Sequence, residues 1–317
     1  MMLLNLDRWF GFGVPYTRTG FATPFDAGHF APLPRDFFER WANAHRAGYR
    51  PGSPTEGLLP RFDDLAWSGF DPGRVDPLIR RFYHQTSTFA VTITSVDWNG
   101  AWLEAGRLYR WAWADRVGNL MPPLDDGPVR REMDCHIGLL DADNDGVPDY
   151  RIWVRTFEDD DSLLYVAAVH SFRAGDRGYL TLAFPWPRFA LTVVLECRNG
   201  RQDPASFEMH TNAPHSSLAG TYAVVPGGDR VSYARLPSLH ETFRFAVKRG
   251  HGLPLIEGEH SAEVAGLRVF TMRYELAPTD ELEKTSYRVE VDTRRGTKRI
   301  HAPDGRVWRS MHRPSAR

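Results

Sequence analysis

The sequence has only two cysteines, Cys135 and Cys197, among 317 residues. Two cysteines do not form a disulfide framework, and neither has the neighbouring cysteines or histidines of a zinc signature. Both lie in apolar, strand-like runs, where a free thiol packs as a small hydrophobic side chain. We therefore expect two buried, unpaired thiols.

Long hydrophobic runs and an excess of charge are also absent. No stretch approaches the roughly 20 apolar residues of a membrane-spanning helix, and the apolar run after Met1 is too short for a secretory signal. The net charge is −1, so no overall field attracts nucleic acid or anionic membrane. Eight basic residues lie between Arg294 and Arg317, and residues 302–317 are predicted to form a solvated basic tail. We expect a cytoplasmic protein with no membrane span and no nucleic-acid partner.

The sequence contains no motif for a common organic cofactor. It lacks a Gly-x-Gly-x-x-Gly segment after a strand, a P-loop, a His-Glu-x-x-His helix and a Gly-x-Ser-x-Gly elbow. These absences argue against nicotinamide, flavin, nucleotide and zinc-hydrolase chemistry. We expect a protein that works without an organic cofactor.

Aromatic residues, by contrast, are abundant. They make up 13% of the chain, with 10 Trp, 19 Phe and 11 Tyr. Such side chains build large cores and also line concave apolar sites. Residues 1–75 combine aromatics with many Pro and Gly and show one helical pattern, at 34–47. We interpret residues 1–75 as an irregular segment that wraps around the rest of the protein.

Two further helices are predicted. Asp76 and Pro77 are typical of an N-cap followed by proline in the first helical turn, which indicates a helix at 76–84. The run 101–117 places Trp102, Ala105 and Tyr109 at helical spacing. Because Trp111 and Trp113 widen its apolar surface, we expect this second helix to be buried or to cover a cavity.

From residue 131 onward the hydrophobic period changes to two, with turn residues between the runs. The predicted strands are 131–140, 150–157, 163–172, 179–184, 189–197, 206–211, 221–225, 231–236, 241–247, 267–276, 286–292 and 298–301, and another lies at 89–96. So many strands do not form one flat sheet. We predict a mostly β (α+β) domain over 76–301, with a large antiparallel sheet closed as a barrel or a two-sheet sandwich and a few aromatic-rich helices covering one side.

An aspartate-rich segment lies between two of the predicted strands. Asp141, Asp143, Asp145 and Asp149 alternate with other residues around Gly146, a pattern that can wrap a hard cation such as Ca²⁺. The segment resembles the calcium loops of thrombospondin-type repeats but lacks the final glutamate of an EF-hand. The same residues also form hairpin loops without metal. A structural Ca²⁺ site is therefore one interpretation of this segment.

Several ionisable residues lie on predicted strands. His170 shares a strand face with Val166 and Ala168, and His210 alternates with Met209. A histidine on an apolar face is often an ordinary core residue, but inside a closed sheet it can act as an acid or base. Our catalytic candidates are His170, His210, His240 and Glu241, and our ligand-binding candidates are Tyr83, Trp102, Trp111 and Trp113.

One resemblance concerns two short segments. Residues 81–89 (Arg-Phe-Tyr-His-Gln-Thr-Ser-Thr-Phe), followed by an aromatic helix and a β-meander containing Leu239-His-Glu-Thr242, resemble a group of uncharacterised actinobacterial proteins over residues 60–280. That group has no assigned activity. The resemblance implies only that Phe82, Tyr83, His240 and Glu241 share a role within it, in packing or in chemistry.

Three functional hypotheses remain open at this point. The first is binding of a mid-sized hydrophobic molecule in an aromatic-lined pocket, with cofactor-independent isomerase, cyclase or hydrolase activity in secondary metabolism. The second is a non-catalytic carrier of lipid-like or polyketide-like ligands. The third is a structural module with a calcium-stabilised loop. A cavity that holds two ionisable groups in contact would favour the enzyme over the other two.

Overall fold

The computed structural model describes residues 14–15, 25, 27–28, 32–114, 117–120, 122–213, 216, 218–227, 230–249, 253–280, 288–292, 297–301 and 307–311. Its α-helices are α1 (Phe37–His45), α2 (Pro77–His84) and α3 (Trp102–Tyr109). Its strands are β1 (Val14–Pro15), β2 (Gly48–Pro51), β3 (Phe89–Trp98), β4 (Gly127–Asp141), β5 (Tyr150–Phe157), β6 (Leu163–Ala174), β7 (Arg177–Trp186), β8 (Phe189–Asn199), β9 (Phe207–His210), β10 (Gly220–Gly227), β11 (Arg230–Arg235), β12 (Leu239–Lys248), β13 (Leu255–Val264), β14 (Leu267–Pro278), β15 (Arg288–Asp292), β16 (Thr297–His301) and β17 (Val307–Met311).

Ten of the described strands close into an antiparallel barrel, in the order β8-β7-β6-β5-β4-β3-β14-β13-β12-β9 and back to β8. Closure depends on β8, which has two partners along the same edge. Its residues Ala190–Val194 pair with β10, whereas Glu196–Asn199 pair with β9. Strands β10, β11 and β1 continue the sheet outside the ring. The predicted closed antiparallel sheet is confirmed, and its form is a barrel.

Two cores lie on opposite faces of the barrel wall. In β5, Trp153 and Phe157 belong to the interior cluster, whereas Tyr150, Ile152 and Val154 belong to a cluster on the outer face. The outer cluster includes four aromatic side chains from the N-terminal segment and α1: Phe25, Phe37, Phe38 and Trp41. Strand β5 is apolar on both faces because each face packs against other apolar side chains.

Helix α2 packs against one end of the barrel. Its start matches the prediction, because the Asp76 carboxylate accepts a hydrogen bond from the Leu78 N–H at 2.9 Å and Pro77 occupies the first turn. The helix buries Phe82 and Tyr83, whose rings contact Phe89 and Phe207 with centroids 5.4 Å apart in each pair. The buried face of α2 therefore forms part of the barrel core.

Each strand predicted from 131 to 301 overlaps an observed one, but four observed strands, β1, β2, β13 and β17, were not predicted. Strand β13 was not predicted because small residues occupy much of its inner face. At Gly258, a Cβ atom would lie 3.0 Å from the Phe245 ring, so the missing side chain leaves room for that ring. Strand β17 lies inside the predicted basic tail and pairs with β16 in a separate three-stranded sheet.

Replacing Phe207 by Ala is expected to lower the free energy of unfolding by about 3–5 kcal/mol. Phe207 is fully buried on the closing strand β9 and contacts the rings of Phe62, Phe70 and Tyr83. The measurement is urea unfolding, with Val147→Ala as the control because Val147 is 65% exposed. A loss below about 1 kcal/mol for Phe207→Ala would contradict this packing.

Candidate functional site

The barrel encloses an apolar cavity of about 430 Å³, within the usual size range of small-molecule sites. Inward-facing side chains of the barrel strands form its wall, together with one face of α3 and Tyr83 of α2. The aromatic side chains in this lining are Tyr83, Trp98, Trp102, Tyr109, Trp153, Tyr165, Phe184, Trp186, Phe243, Phe245, Phe270 and Tyr274. The aromatic surplus of the sequence is thus concentrated in part around this cavity.

Helix α3 contributes a single face to the cavity. Trp102, Ala105, Gly106 and Tyr109 line it, which is the i, i+3, i+4, i+7 spacing of one helical stripe. Gly106 lies against the Trp98 ring, where a Cβ atom would come within 3.0 Å. The predicted helix therefore does cover a cavity, but none of its residues is fully buried.

The other two tryptophans predicted as ligand contacts fall beyond α3. A π-helical turn over Arg110–Ala114 follows the helix, and Trp111 is 77% exposed. The prediction that Trp111 lines the pocket is therefore corrected: the side chain follows the cavity-facing stripe by two residues and points to solvent. The Trp113 side chain lies outside the described residues.

An acid–base pair is present inside this apolar cavity. Glu241 on β12 and His260 on β13 both line it, and His260 Nε2 lies in hydrogen-bond contact with Glu241 Oε2 at 3.0 Å. The His260 imidazole stacks on the Phe243 ring, with centroids 4.1 Å apart, and packs nearly perpendicular to the Phe270 ring, with centroids 5.3 Å apart. Both side chains are mostly buried. Glu241 is thus the one predicted catalytic candidate that faces the cavity.

A second charged side chain, Arg155 on β5, also lines the cavity. It is only 5% exposed, and its guanidinium carbon lies 4.2 Å from the centroid of the Trp153 ring. Sequence reasoning missed both Arg155 and His260. The alternation of Trp153, Arg155 and Phe157 would have placed Arg155 on the inner face, whereas His260 was lost with the unpredicted strand β13.

One buried phenol, that of Tyr83, and two partly buried phenols, those of Tyr165 and Tyr274, lie near Arg155. Burial raises the pKa of Tyr165 and of Tyr274, although the positive charge of Arg155 opposes the rise in both cases. Burial raises the pKa of Tyr83 in the same way, and Arg155 again acts against it. These phenols are therefore neutral at physiological pH and can donate hydrogen bonds.

The three predicted histidines lie on the outer side of the barrel wall. His170 Nδ1 contacts Thr181 Oγ1 at 2.6 Å, on the face that includes Val166 and Ala168. His240 alternates with the inward-facing Glu241 on β12. Strand alternation therefore separates these histidines from the cavity, and the structure does not bring them together with Glu241.

His210 lies in a separate polar groove on the outside of the barrel, beside Arg198 and Arg244. Its Nε2 contacts Glu208 Oε2 at 3.1 Å. Burial lowers the pKa of His210, against the opposing effect of Glu208. At neutral pH the imidazole is therefore mostly uncharged, and it has no access to the apolar cavity.

The aspartate-rich segment connects β4 to β5 as a hairpin loop. Carboxylate oxygens of Asp141, Asp143 and Asp149 all lie within 4.8 Å of one another. Asp145 is not part of this group, and its carboxylate accepts the Val147 N–H at 2.8 Å. Three of the four predicted ligands therefore converge, and the fourth caps the turn.

Both cysteines are buried and free, as predicted. Burial raises the pKa of the Cys135 and Cys197 thiols, so neither thiolate is available as a nucleophile at neutral pH.

The chain is similar to a bacterial membrane protein of uncharacterised function. It is 24% identical over 230 residues to the uncharacterized membrane protein YndJ of Bacillus subtilis (strain 168). The matched region covers 72% of this chain and 40% of that protein, so the chain spans less than half of the relative's length. No family model matches the chain, and no solved structure matches it.

Within the described residues, no helix has both the length and the apolar character that a bilayer crossing requires. The relative is named as a membrane protein, and a cytoplasmic location for this chain stays a prediction. The resemblance to actinobacterial proteins likewise stays a prediction.

The raised pKa values of the buried phenols predict an alkaline titration. An ordinary phenol ionises near pH 10, so at about pH 11 exposed tyrosines are ionised while Tyr165 and Tyr274 stay neutral in the folded protein. The double variant Tyr165→Phe/Tyr274→Phe should therefore give the same near-ultraviolet tyrosinate signal as the parent at that pH. In denaturant it should give a smaller signal, by two of the 11 tyrosines.

The same phenols make the fold sensitive to alkali. The unfolded chain loses the phenolic protons of Tyr165 and Tyr274 from about pH 10 upward, whereas the folded chain keeps them. The contribution of these two neutral phenols to the free energy of unfolding is therefore present below pH 10 and is lost as the pH rises above it. A double variant whose folded-state signal at about pH 11 is already two phenols smaller would contradict the burial of these side chains.

Proposed function

We propose that this protein binds a mid-sized apolar molecule in the barrel cavity and moves a proton on it with Glu241 and His260. The observation that supports this function is a carboxylate and an imidazole in hydrogen-bond contact, 3.0 Å apart, within a largely apolar lining that also includes Arg155. The reaction class is a cofactor-independent isomerisation, cyclisation or hydrolysis. This is the arrangement that distinguishes an enzyme from a simple carrier.

The chemistry follows from the two partners. In isomerisation or cyclisation, an ionised Glu241 accepts a proton from a polarised C–H or O–H bond of the substrate and returns it to another atom of the substrate. In hydrolysis, Glu241 accepts a proton from the attacking water and returns it to the leaving group. The His260 N–H holds the carboxylate in one orientation and stabilises its charge. General acid–base catalysis of this type contributes roughly 10²–10⁴-fold to a rate.

The aromatic wall supports the same function by positioning the substrate. Phe243 stacks on the His260 ring and Phe270 packs nearly perpendicular to it, and the Trp98 and Phe270 rings lie 5.3 Å apart beside it. An apolar substrate packed against these rings would be held in few orientations next to Glu241, and such orientation lowers a reaction barrier. Exclusion of water by the same rings strengthens the electrostatic interactions inside the cavity.

A panel of lipids and polyketide-like compounds tests binding first. Ligand entry should change the emission of the cavity tryptophans and give a negative heat capacity of binding, because apolar surface is buried. Turnover of any ligand is then followed by product analysis in the parent and in Glu241→Gln and His260→Phe. We expect each substitution to lower turnover by roughly 10²–10⁴-fold while ligand binding persists.

Two outward histidines provide matched controls. His170→Gln and His210→Gln remove an imidazole from the outer face of the barrel and should leave turnover unchanged. Binding without any turnover would leave the alternative function, a carrier of lipid-like or polyketide-like ligands. Absence of binding across the whole panel would contradict both functions.

A structural calcium ion in the loop between β4 and β5 is a second, independent proposal. Its support is the convergence of the Asp141, Asp143 and Asp149 carboxylates. The pKa of Asp143 is raised by partial desolvation and by the negative charges of Asp149 and Asp145, so a cation there would relieve repulsion. Hydrogen bonds within the loop also hold part of this arrangement, since the Asp141 carboxylate accepts the Gly146 N–H at 2.7 Å.

Calcium binding to the native loop alone predicts a higher melting temperature in excess Ca²⁺ than in chelator. Saturation at about 100 times the dissociation constant adds roughly 2.7 kcal/mol of stability. Asp143→Asn should remove this effect. Asp161→Asn, in the next hairpin turn, should not. Equal melting temperatures of the parent in calcium and in chelator would contradict calcium binding by this loop.

A further inference from the structure

We propose that Arg155 binds the carboxylate of the molecule held in the cavity, so that the ligand is an apolar monocarboxylic acid whose head group lies inside the barrel. This inference rests on the proposed function, because it specifies the head group of the same ligand. It adds a binding residue and a substrate class that the Glu241–His260 pair does not identify.

The first argument is that Arg155 is a buried charge without a counterion. Its Nε atom has no hydrogen-bond partner, and no carboxylate of the described residues forms an ion pair with it. A guanidinium keeps its charge at any physiological pH, and an uncompensated buried charge is strongly unfavourable. The other buried charge of the wall shows the contrast, since Glu196 is held by both Arg177 and Arg198.

The second argument is the set of donors around Arg155. The Trp153 ring covers one face of the guanidinium, and the Tyr165 and Tyr274 ring centroids lie 5.8 Å from it. The Cys135 thiol, on the paired strand, is neutral because burial raises its pKa. A carboxylate has two oxygens that accept paired N–H bonds from a guanidinium and further bonds from phenols. The groups around Arg155 are therefore neutral, and none of them supplies the negative charge that a carboxylate would.

The third argument concerns charge. Arg155 supplies one positive charge, which a monocarboxylate neutralises and a doubly charged phosphate would exceed. The other ionisable side chains of the cavity, Glu241 and His260, already bind each other, with His260 Nε2 and Glu241 Oε2 3.0 Å apart. Glu241 also raises the pKa of Tyr274, whereas Arg155 lowers it. Tyr274 lines the same cavity and is within electrostatic reach of both Arg155 and Glu241.

The contacts along the cavity give the ligand a direction. At the α3 end, Gly106 packs on Trp98, Trp98 contacts Phe270, and Phe270 contacts His260. Arg155 instead lies beside the rings of Trp153, Tyr165 and Tyr274, which are not part of that series of contacts. A carboxylate on Arg155 would therefore place the apolar body of the ligand beside Glu241 and direct its tail toward α3.

The test compares ligands that differ only in the head group: dodecanoic acid, dodecanol and dodecyl phosphate, each titrated by calorimetry. The parent should bind the acid at least about tenfold more tightly than the alcohol, a difference of about 1.4 kcal/mol. Arg155→Met should bind acid and alcohol equally. Arg155→Lys should keep part of the preference, because the charge remains while the paired N–H geometry is lost.

Arg151→Met is the matched control. Arg151 lies four residues before Arg155 on the same strand, but it forms an ion pair with Glu56 at 3.8 Å and does not line the cavity, so its replacement should leave the preference intact. Without ligand, Arg155→Met should unfold at a urea concentration no lower than the parent, since a buried unpaired charge is removed.

The outcomes distinguish failure of this inference from failure of the proposed function. Equal binding of acid and alcohol by the parent, or tighter binding of the phosphate, would overturn the carboxylate site while the apolar-ligand function stands. If ligand-free Arg155→Met unfolds at a much lower urea concentration than the parent, Arg155 stabilises the fold and is not primarily a ligand-binding residue. Failure of all three compounds to bind would overturn the proposed function and this inference together.

Discussion

Closure of the sheet at β8 creates the interior that holds the cavity. Its last residues pair with β9 while its earlier residues pair with β10, so β8 belongs both to the ring and to the extension outside it. The short strand β9, only four residues long, joins the two sides of the ring by pairing with β12 as well. Without that strand the ring would have two free edges, and the interior would be a groove open along its side.

A closed ring gives each strand an inside and an outside, and that division sorts the ionisable residues. Glu241 faces the cavity, whereas His240, the preceding residue, faces outward. His260 and Arg155 face inward on other strands, and His170 and His210 do not. A shift of one residue in register would exchange the two sets, so the site is specified by the pairing of the strands as much as by residue identity.

The two inward-facing charged groups differ in how their burial is compensated. The Glu241 carboxylate has His260 as a hydrogen-bond partner, so its burial is compensated without a ligand. Arg155 has aromatic rings, phenols and a thiol around it but no anion among the described residues. A buried pair can remain stable and reactive, while a buried single charge gains most from a ligand of opposite charge. This difference is why we assign proton transfer to the first and ligand recognition to the second.

The sequence alone determined the class of fold and much of its detail. Period-two alternation located the strands, Asp76 and Pro77 located the start of α2, and the absence of cofactor motifs narrowed the expected chemistry, because these signals are local. Only the tertiary structure decided which face of each strand points inward, how β13 brings His260 to Glu241, and why Trp102 lines the cavity while Trp111 does not. Those facts depend on pairings between residues distant in the chain, which no local pattern encodes.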